Sequence, residues 1–158
     1  MKKLSLRKII FLTVIIALIL FFGYLRDFIF IHTNREIGIQ YYKMANDDLP
    51  TSLRWMKNFN YLQLIKFKWL FTFLFSGIFL LITLLVTKLL FDKKNFLKIS
   101  LYAYIAVFSI ALVFTGCGYL IPIFRENGYE LSRYFMHIAQ SPLIMMVLIP
   151  AFKLSEKK

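Results

Sequence analysis

Four long runs without Asp, Glu, Lys or Arg constrain this chain more than any other feature. They cover residues 9–25, 69–87, 99–124 and 134–152, and the first run resumes at 28–31 after two charged residues. A helix of about 20 mostly apolar residues crosses the hydrocarbon core of a bilayer, and it satisfies its backbone hydrogen bonds internally. The pattern predicts an all-α integral membrane bundle of four transmembrane helices, with spans at about 9–31, 69–90, 99–122 and 134–152 in a single domain, 1–158.

Composition excludes the other classes of fold. Hydrophobic residues make up 59% of the 158-residue chain, whereas soluble domains contain about 45–50% apolar residues even with glycine included. One cysteine, six glycines and four prolines exclude a disulfide scaffold, a collagen-like repeat and a disordered chain. The lipid bilayer is therefore the first partner that the sequence predicts.

Basic residues give the chain a net charge of +12, from 20 Lys and Arg against eight Asp and Glu. Many of them lie in three flanks: before the first span, between the second and third spans, and after the fourth. These residues are Lys2, Lys3, Arg7, Lys8, Lys88, Lys93, Lys94, Lys98, Lys153, Lys157 and Lys158. Four spans place these flanks on one side of the membrane, and basic residues concentrate on the cytoplasmic side. We expect a multi-pass protein of a bacterial inner membrane with both termini cytoplasmic, and a charge that attracts anionic lipid rather than nucleic acid.

The segment 33–67, between the first two spans, is the only sizeable stretch expected outside the membrane. Its residues 46–52 contain Asp, Pro and Ser, which favour a turn or the start of a helix. Residues 53–64 mix apolar and polar side chains, which suits a short helix in the headgroup layer anchored by Trp55 and Tyr61. The alternative is a loop folded over the outer face of the bundle. In either case the segment is too short for a separate domain with its own core.

Polar side chains concentrate in the fourth span. At 100° per residue, Arg133, His137 and Gln140 fall within an arc of about 60°, and Glu130 and Ser141 lie at its edges. Ionisable groups at membrane depth are costly and mark candidate functional sites, so the stripe predicts the wall of a polar pocket. The alternative is structural: the groups bond to one another and to neighbouring helices, and Arg133 extends towards the interface.

Two local irregularities are also expected. Pro142 cannot donate a backbone hydrogen bond, so the fourth span should kink there and leave the carbonyl of Ile138 without its donor. Arg26 and Asp27 interrupt the first span near its outer end. Because adjacent helical residues point in different directions, we expect each of these two to need a different partner.

Cys117 lies towards the outer end of the third span, where Arg133 and His137 could approach it. A thiolate activated by an imidazole, with a guanidinium that stabilises an oxyanion, suits a thiol acyltransferase or peptidase. The alternative is that Cys117 is a small buried side chain within a face of close helix packing. That face would comprise Ala111, Thr115, Gly116 and Gly118. We assign no catalytic residue and expect no cofactor and no metal, since only two histidines are present and no spacing suits zinc.

Three apolar-rich motifs are spread over most of the chain. The first is Leu25-Arg26-Asp27-Phe28-Ile29-Phe30, the second is Lys68-Trp69-Leu70-Phe71-Thr72, and the third joins Arg133-Tyr134-Phe135-Met136 and Gln140-Ser141-Pro142-Leu143 to a final Ile149-Pro150-Ala151-Phe152-Lys153. Their order resembles that of the small integral membrane proteins found beside exosortases in Gram-negative bacteria. The resemblance implies an accessory to an exosortase, a multi-pass cysteine enzyme that processes C-terminal sorting signals of exported proteins. This chain is shorter than that enzyme and has too few spans to be one.

Three functional hypotheses follow. The first is a non-enzymatic membrane accessory that offers the small-residue face of the third span, or the polar face of the fourth, to a larger multi-pass membrane protein. The resemblance implies that this partner is an exosortase. The second is a membrane-embedded thiol acyltransferase or peptidase that uses Cys117, His137 and Arg133. The third is a small transporter or channel lined by residues 133–140.

Overall fold

Helices account for nearly all of the described chain. A computed structural model describes residues 6–42, 49–91, 93–121 and 125–156, and these ranges contain no strand. The helices are α1 (Leu6–Tyr42), a 3₁₀ helix (Thr51–Asn58), α2 (Tyr61–Phe91), α3 (Lys94–Leu120), α4 (Arg125–Ala139) and α5 (Leu143–Ser155). The predicted all-α fold is confirmed.

The helices α1, α2 and α3 are each long and apolar enough to cross a bilayer. The helices α4 and α5 meet the same criterion only as a pair, and they are bent by 58° where they join. The chain is thus a multi-pass membrane protein with three spanning helices, or four if the bent pair is one span.

Contacts between Cα atoms divide the chain into two compact units. The larger unit comprises the described residues of Met1–Ile19 and Ser76–Lys158, and the smaller unit comprises those of Leu20–Phe75. The larger unit is therefore built from two separate stretches of sequence, whereas the smaller unit is one continuous stretch. The helices α1 and α2 contribute residues to both units.

In the larger unit, α4 packs antiparallel on the C-terminal half of α3. Thr115 Oγ1 lies 2.7 Å from Ser132 Oγ. The rings of Phe114 and Phe135 stack with their centroids 5.7 Å apart. In these contacts a higher residue number on α4 pairs with a lower residue number on α3, so the two helices run in opposite directions.

The helix α5 continues in the same direction to the opposite end of α3. The ring of Phe152 stacks on that of Phe96, with 4.4 Å between centroids and 7° between planes. Next to this stack, Lys93 Nζ lies 3.4 Å from Glu156 Oε1. A re-entrant loop would instead return α5 to the end where α4 begins. The bent pair therefore runs along the length of α3, which is the arrangement of one broken span rather than of a re-entrant loop.

The start of α1 lies at the same end of the larger unit as the end of α5. Lys8 Nζ donates a hydrogen bond of 3.3 Å to the carbonyl oxygen of Leu89, in the last turn of α2. The α2–α3 connection is adjacent, because Lys93 at that connection contacts Glu156. The first turns of α1, the α2–α3 connection and the end of α5 thus lie together.

Two hydroxyl pairs join α2 to α3 inside the larger unit. Thr83 Oγ1 lies 3.1 Å from the hydroxyl of Tyr104, and Thr87 Oγ1 lies 3.3 Å from Ser100 Oγ. All four side chains are buried. Interhelical hydrogen bonds of this kind stabilise helix pairs within a membrane, where lipid offers polar groups no other partner.

A small apolar core holds the smaller unit together. It consists of Leu49, Leu53, Met56 and Leu64, and the residues packed against it are Phe28, Ile29, Ile37, Phe59 and Phe67. The 3₁₀ helix packs through Leu53 and Met56, while Trp55 remains 43% exposed. The segment thus contains a short helix that packs within the smaller unit, and its predicted position in the headgroup layer or over the outer face of the bundle stays a prediction. Residues 46–48 of the predicted turn lie outside the described residues.

The helices α1 and α2 extend beyond the spans that the apolar runs predict. The helix α1 ends at Tyr42 rather than near residue 31, and α2 begins at Tyr61 rather than at 69. A capping box fixes the start of α2, because the Asn60 N–H donates to Gln63 Oε1 and the Gln63 N–H donates to Asn60 Oδ1, each at 2.9 Å. Charged residues end an apolar run without ending a helix. The helices α1 and α2 therefore extend into much of the segment 33–67.

Candidate functional site

The bend between α4 and α5 shapes the candidate site. Pro142 cannot donate a backbone hydrogen bond, and the chain turns through Gln140 and Ser141 before α5 begins. The carbonyl of Ile138 accepts hydrogen bonds from the Ser141 N–H at 3.2 Å and from the Ser141 hydroxyl at 2.9 Å. The predicted kink is confirmed, whereas the prediction of an unpaired Ile138 carbonyl is wrong because Ser141 supplies two donors.

The predicted five-residue stripe divides at this bend. Glu130, Arg133 and His137 are exposed along one side of α4, whereas Gln140 is buried and Ser141 is half-buried. The prediction assumed one uninterrupted helix. The Gln140 N–H still donates to the carbonyl oxygen of Met136 at 3.1 Å, but the Gln140 side chain is buried at the bend. Only the three ionisable residues of the stripe therefore share a surface.

An open pocket of about 400 Å³ lies at what we call the α4 polar face, defined as Glu130, Arg133, Tyr134 and His137. Ile138 and Leu143 provide the apolar part of its wall, next to the bend. The pocket thus joins charged and hydrogen-bonding groups to an apolar surface. Its described lining residues belong to α4 and to the first residue of α5.

The α4 polar face points away from α3. Ser132 and Phe135 mark the side of α4 that contacts α3. On a helical projection, Arg133 and His137 lie about 130° and 170° from the centre of that side. Together with their exposure, this direction places both side chains on the outer surface of the larger unit.

The pairing of α4 with α3 also gives the depth of the α4 polar face. Arg133 is level with about residue 114 of α3, which is 16 residues beyond Lys98, the last charged residue before the apolar run. At 1.5 Å per residue, this separation is about 24 Å. His137 lies about one helical turn nearer to the level of Lys98 along the same axis.

The structure does not bring Cys117 to the α4 polar face. Cys117 is half-buried on α3. The antiparallel pairing places His137 about seven residues, or roughly 10 Å, further along the helix axis. Arg133 and His137 also point away from α3. The thiol, the imidazole and the guanidinium of the proposed catalytic set are therefore not assembled.

The small residues of α3 pack on α4 of the same chain. Ala111 and Gly118 are buried, and Thr115 pairs with Ser132. Gly116 differs, because a Cβ built there would meet no described atom within 4 Å. This face is thus occupied within the chain, which leaves the α4 polar face as the predicted surface that remains open to a partner.

Arg26 and Asp27 pair with each other. Arg26 Nε donates a hydrogen bond of 3.0 Å to Asp27 Oδ1, and an Arg26 terminal nitrogen contacts the same oxygen. The expectation that each residue needs a different partner is therefore wrong. The long arginine side chain turns back to the carboxylate of its neighbour, so that Arg26 is buried while Asp27 stays exposed.

Sequence reasoning missed a buried polar group in the smaller unit. Glu36 is only 5% exposed, and its Oε2 has no hydrogen-bond partner within the described ranges. Thr33, one turn earlier on α1, is also buried and donates to the carbonyl of Ile29 at 2.7 Å. The helical spacing of Thr33, Glu36 and Gln40 was the available signal, but these residues were assigned to a segment outside the spans.

Fold and site together define a small multi-pass α-helical membrane protein whose last, broken span carries an exposed ionisable face. Among the residues that the structure describes, no group of three or more His, Cys, Asp and Glu side chains could hold a metal ion. Comparison with protein-family models, with curated proteins and with solved structures found no match.

Proposed function

We propose that this protein is a non-enzymatic membrane accessory that binds a larger multi-pass membrane protein through the α4 polar face. The observation that carries the proposal is the exposure of Arg133 on the side of α4 that faces away from α3, about 24 Å along the helix axis from Lys98. We place this position in the outer part of the hydrocarbon core, where exposing the charge to lipid costs part of the roughly 2.5–3.5 kcal/mol that insertion scales give for the bilayer centre. A partner that covers the face and supplies polar groups removes this cost.

The pocket beside the α4 polar face supports a protein partner. It combines Arg133 and Tyr134 with the apolar side chains of Ile138 and Leu143. Such a surface offers packing area together with a few polar groups that specify orientation, as pockets that bind other molecules do. An acyl chain could fill the apolar part, but it offers nothing to Arg133.

We also propose that the protein lies in a bacterial inner membrane with both termini in the cytoplasm. The support is the position of the basic flanks, since Lys8 contacts Leu89 and Lys93 contacts Glu156 at one end of the larger unit. An excess of Lys and Arg next to spans marks the cytoplasmic side. Attraction to anionic lipid would hold this end at the inner leaflet.

The partner that the sequence motifs favour is an exosortase-type enzyme. The support is the resemblance of three motifs to accessory proteins of exosortases, and the third motif includes Arg133 and Tyr134 of the α4 polar face. In this role the protein would position or stabilise the enzyme and would take no part in its chemistry.

The two other hypotheses fit the geometry less well. An acyltransferase or peptidase needs Cys117 beside His137, but His137 points away from the helix that carries Cys117. A transporter or channel within one chain needs the α4 polar face to line an interior passage, but the face is exposed on the outer side of α4. The accessory function requires neither a contact between Cys117 and His137 nor an interior passage lined by the α4 polar face.

Photo-crosslinking in native membranes tests the proposal. A photoreactive amino acid replaces Tyr134, which is 67% exposed on the α4 polar face, and a matched control replaces Leu112, which is 61% exposed on α3 at a similar depth. We expect a discrete adduct with one larger multi-pass protein from position 134 and none from position 112. Mass spectrometry of the adduct then identifies the partner.

The outcomes separate the parts of the proposal. Similar adducts from positions 134 and 112 would indicate random collisions in the membrane and would contradict a specific interface. The absence of any adduct from position 134 would also contradict it. A discrete adduct with a multi-pass protein of another class would support the accessory function and overturn the exosortase partner.

A further inference from the structure

We infer that the partner presents a carboxylate to Arg133 from one of its transmembrane helices. This inference rests on the proposed function and specifies the chemistry of its interface. The pair consists of the Arg133 guanidinium and an Asp or Glu of the partner. It lies in the outer part of the hydrocarbon core, at the mouth of the pocket formed by the bend.

Arg133 requires an anion at this depth. Its guanidinium cannot lose its charge in a protein, and it has no ion-pair partner in the part of the chain that the structure describes. A carboxylate matches the planar guanidinium with two parallel hydrogen bonds. The low dielectric of the surroundings strengthens such a pair relative to water.

A second copy of this chain is a poorer source of that carboxylate. Glu130 is the one acidic residue of the α4 polar face, and it lies about one helical turn nearer the outer surface than Arg133. In a symmetric pair of α4 helices, the same surface of both copies meets. Arg133 would then face the Arg133 of the second copy, and like charges repel strongly at low dielectric.

A lipid phosphate also fits the pocket less well than a partner helix. From Arg133 the pocket continues past His137 to Leu143, which is deeper in the membrane than a headgroup reaches. An apolar helix with one acidic residue covers Leu143 and presents an anion to Arg133; a phospholipid whose acyl chain lies on Leu143 has the same polarity pattern, and the phospholipid arm of the test below separates the two. Tyr134, beside Arg133, has a hydroxyl that can donate to the same carboxylate.

Carbodiimide coupling of an Arg133→Lys variant tests this inference. A membrane-soluble carbodiimide adds a carboxylic acid to form an O-acylisourea, and the neutral lysine amine attacks its acyl carbon. The amide bond forms as the C–O bond to the isourea breaks, and the carbodiimide leaves as a urea that has taken up the elements of water. The variant also carries Glu130→Gln, which removes the nearest carboxylate of the same chain. Leu112→Lys in the same Glu130→Gln background is the control at similar depth, and the Glu130→Gln chain alone reports coupling through the native lysines.

We expect an amide adduct with the same protein that photo-crosslinks from position 134, joined through an Asp or Glu within an apolar segment, and no such adduct from Leu112→Lys. We also expect Arg133→Gln to lower the yield of the position-134 photo-adduct about tenfold or more, because removing one member of a buried charge pair leaves the other charge buried and unpaired. Arg133→Lys should retain most of that yield, since it keeps the charge.

The failures are distinguishable. A photo-adduct that forms normally with Arg133→Gln, together with no carbodiimide adduct, would overturn the carboxylate pair and leave the proposed function intact. An amide adduct between two copies of this chain would overturn it in favour of self-association. Loss of co-purifying phospholipid phosphate in Arg133→Gln, with the photo-adduct unchanged, would assign the anion to lipid. Absence of the photo-adduct from position 134 in the chain that retains Arg133 would overturn the proposed function itself.

Discussion

Gly128 of α4 lies so close to Gly118 of α3 that a Cβ built on Gly128 would be 3.0 Å from the Gly118 Cα. The same Cβ would be 2.9 Å from the carbonyl oxygen of Phe114. Both neighbours are backbone atoms, which cannot rotate away as a side chain can. Small residues allow helix backbones in membranes to approach closely. This contact sets the spacing of α3 and α4 at the end where α4 begins.

We expect Gly128→Ala to force the two helices apart and to lower the free energy of unfolding by roughly 1–3 kcal/mol, the usual cost of overpacking. Gly116→Ala is the matched control, because a Cβ there meets open space. Alanine favours a helix over glycine by about 0.5–1 kcal/mol, so the control should be neutral or slightly stabilising. Thermal unfolding in detergent, followed by circular dichroism, measures both. Equal stability of the two variants would contradict the role of this contact.

The buried hydroxyl pair between Thr83 and Tyr104 should contribute a small but measurable coupling. A double-mutant cycle of Thr83→Val and Tyr104→Phe is expected to give about 0.6 kcal/mol, and no more than about 1.7 kcal/mol. The control cycle replaces Tyr104→Phe with Tyr102→Phe, since Tyr102 is exposed on the same helix. Its coupling should be close to zero. Denaturant unfolding in mixed micelles measures both cycles, and equal couplings would mean that the hydrogen bond is not specific.

Glu36→Gln should stabilise the protein, by about 1 kcal/mol or more, because a neutral amide is less costly to bury without a partner than a carboxylate. Glu156→Gln is the control and should have the opposite sign. It removes the pair with Lys93, and such an exposed ion pair contributes about 0–1 kcal/mol. Thermal unfolding and limited proteolysis measure the change. If Glu36→Gln instead destabilised the chain, the carboxylate would have a partner that stabilises the fold.

If α4 and α5 form one broken span, the two ends of the pair should be accessible to a water-soluble reagent from opposite sides of the membrane. Single cysteines at the exposed positions Asn127 and Ser155, each in a Cys117→Ala background, report this directly. A membrane-impermeant maleimide added to one side should label one variant, and inverted vesicles should label the other. Labelling of both from the same side would indicate a re-entrant loop and a chain with three spans.

The apolar runs predict where the chain crosses the membrane, but they do not predict where its helices end. The runs succeed because a bilayer requires about 20 apolar residues in each spanning helix. They fail at the start of α2 because the capping box of Asn60 and Gln63 begins that helix at Tyr61, well before the apolar run. The packing around Met56 joins residues far apart in sequence, and no local pattern encodes it.

The sequence predicted only part of the candidate site, because helical spacing shows which residues share a face but not which face meets a neighbouring helix. The helical spacing of Glu130, Arg133 and His137 predicts a shared surface, and they share one. Gln140 does not share that surface, because its side chain is buried at the bend between α4 and α5. Cys117 remains apart because the side of α4 that contacts α3 is opposite the polar side, and a single-helix projection cannot show which side meets a neighbour.

The amino-acid sequence alone determined that this is an α-helical membrane protein, since its long uncharged runs have no other stable environment than lipid. It also determined that ionisable residues gather in the last span. The tertiary structure alone decided that α4 and α5 are separated by a bend, that the polar side of α4 faces away from α3, and that Thr115 and Gly118 of α3 pack against α4. The reason is that hydrophobicity depends only on local composition, whereas the direction of a helix face is set by close contacts such as that between Gly118 and Gly128.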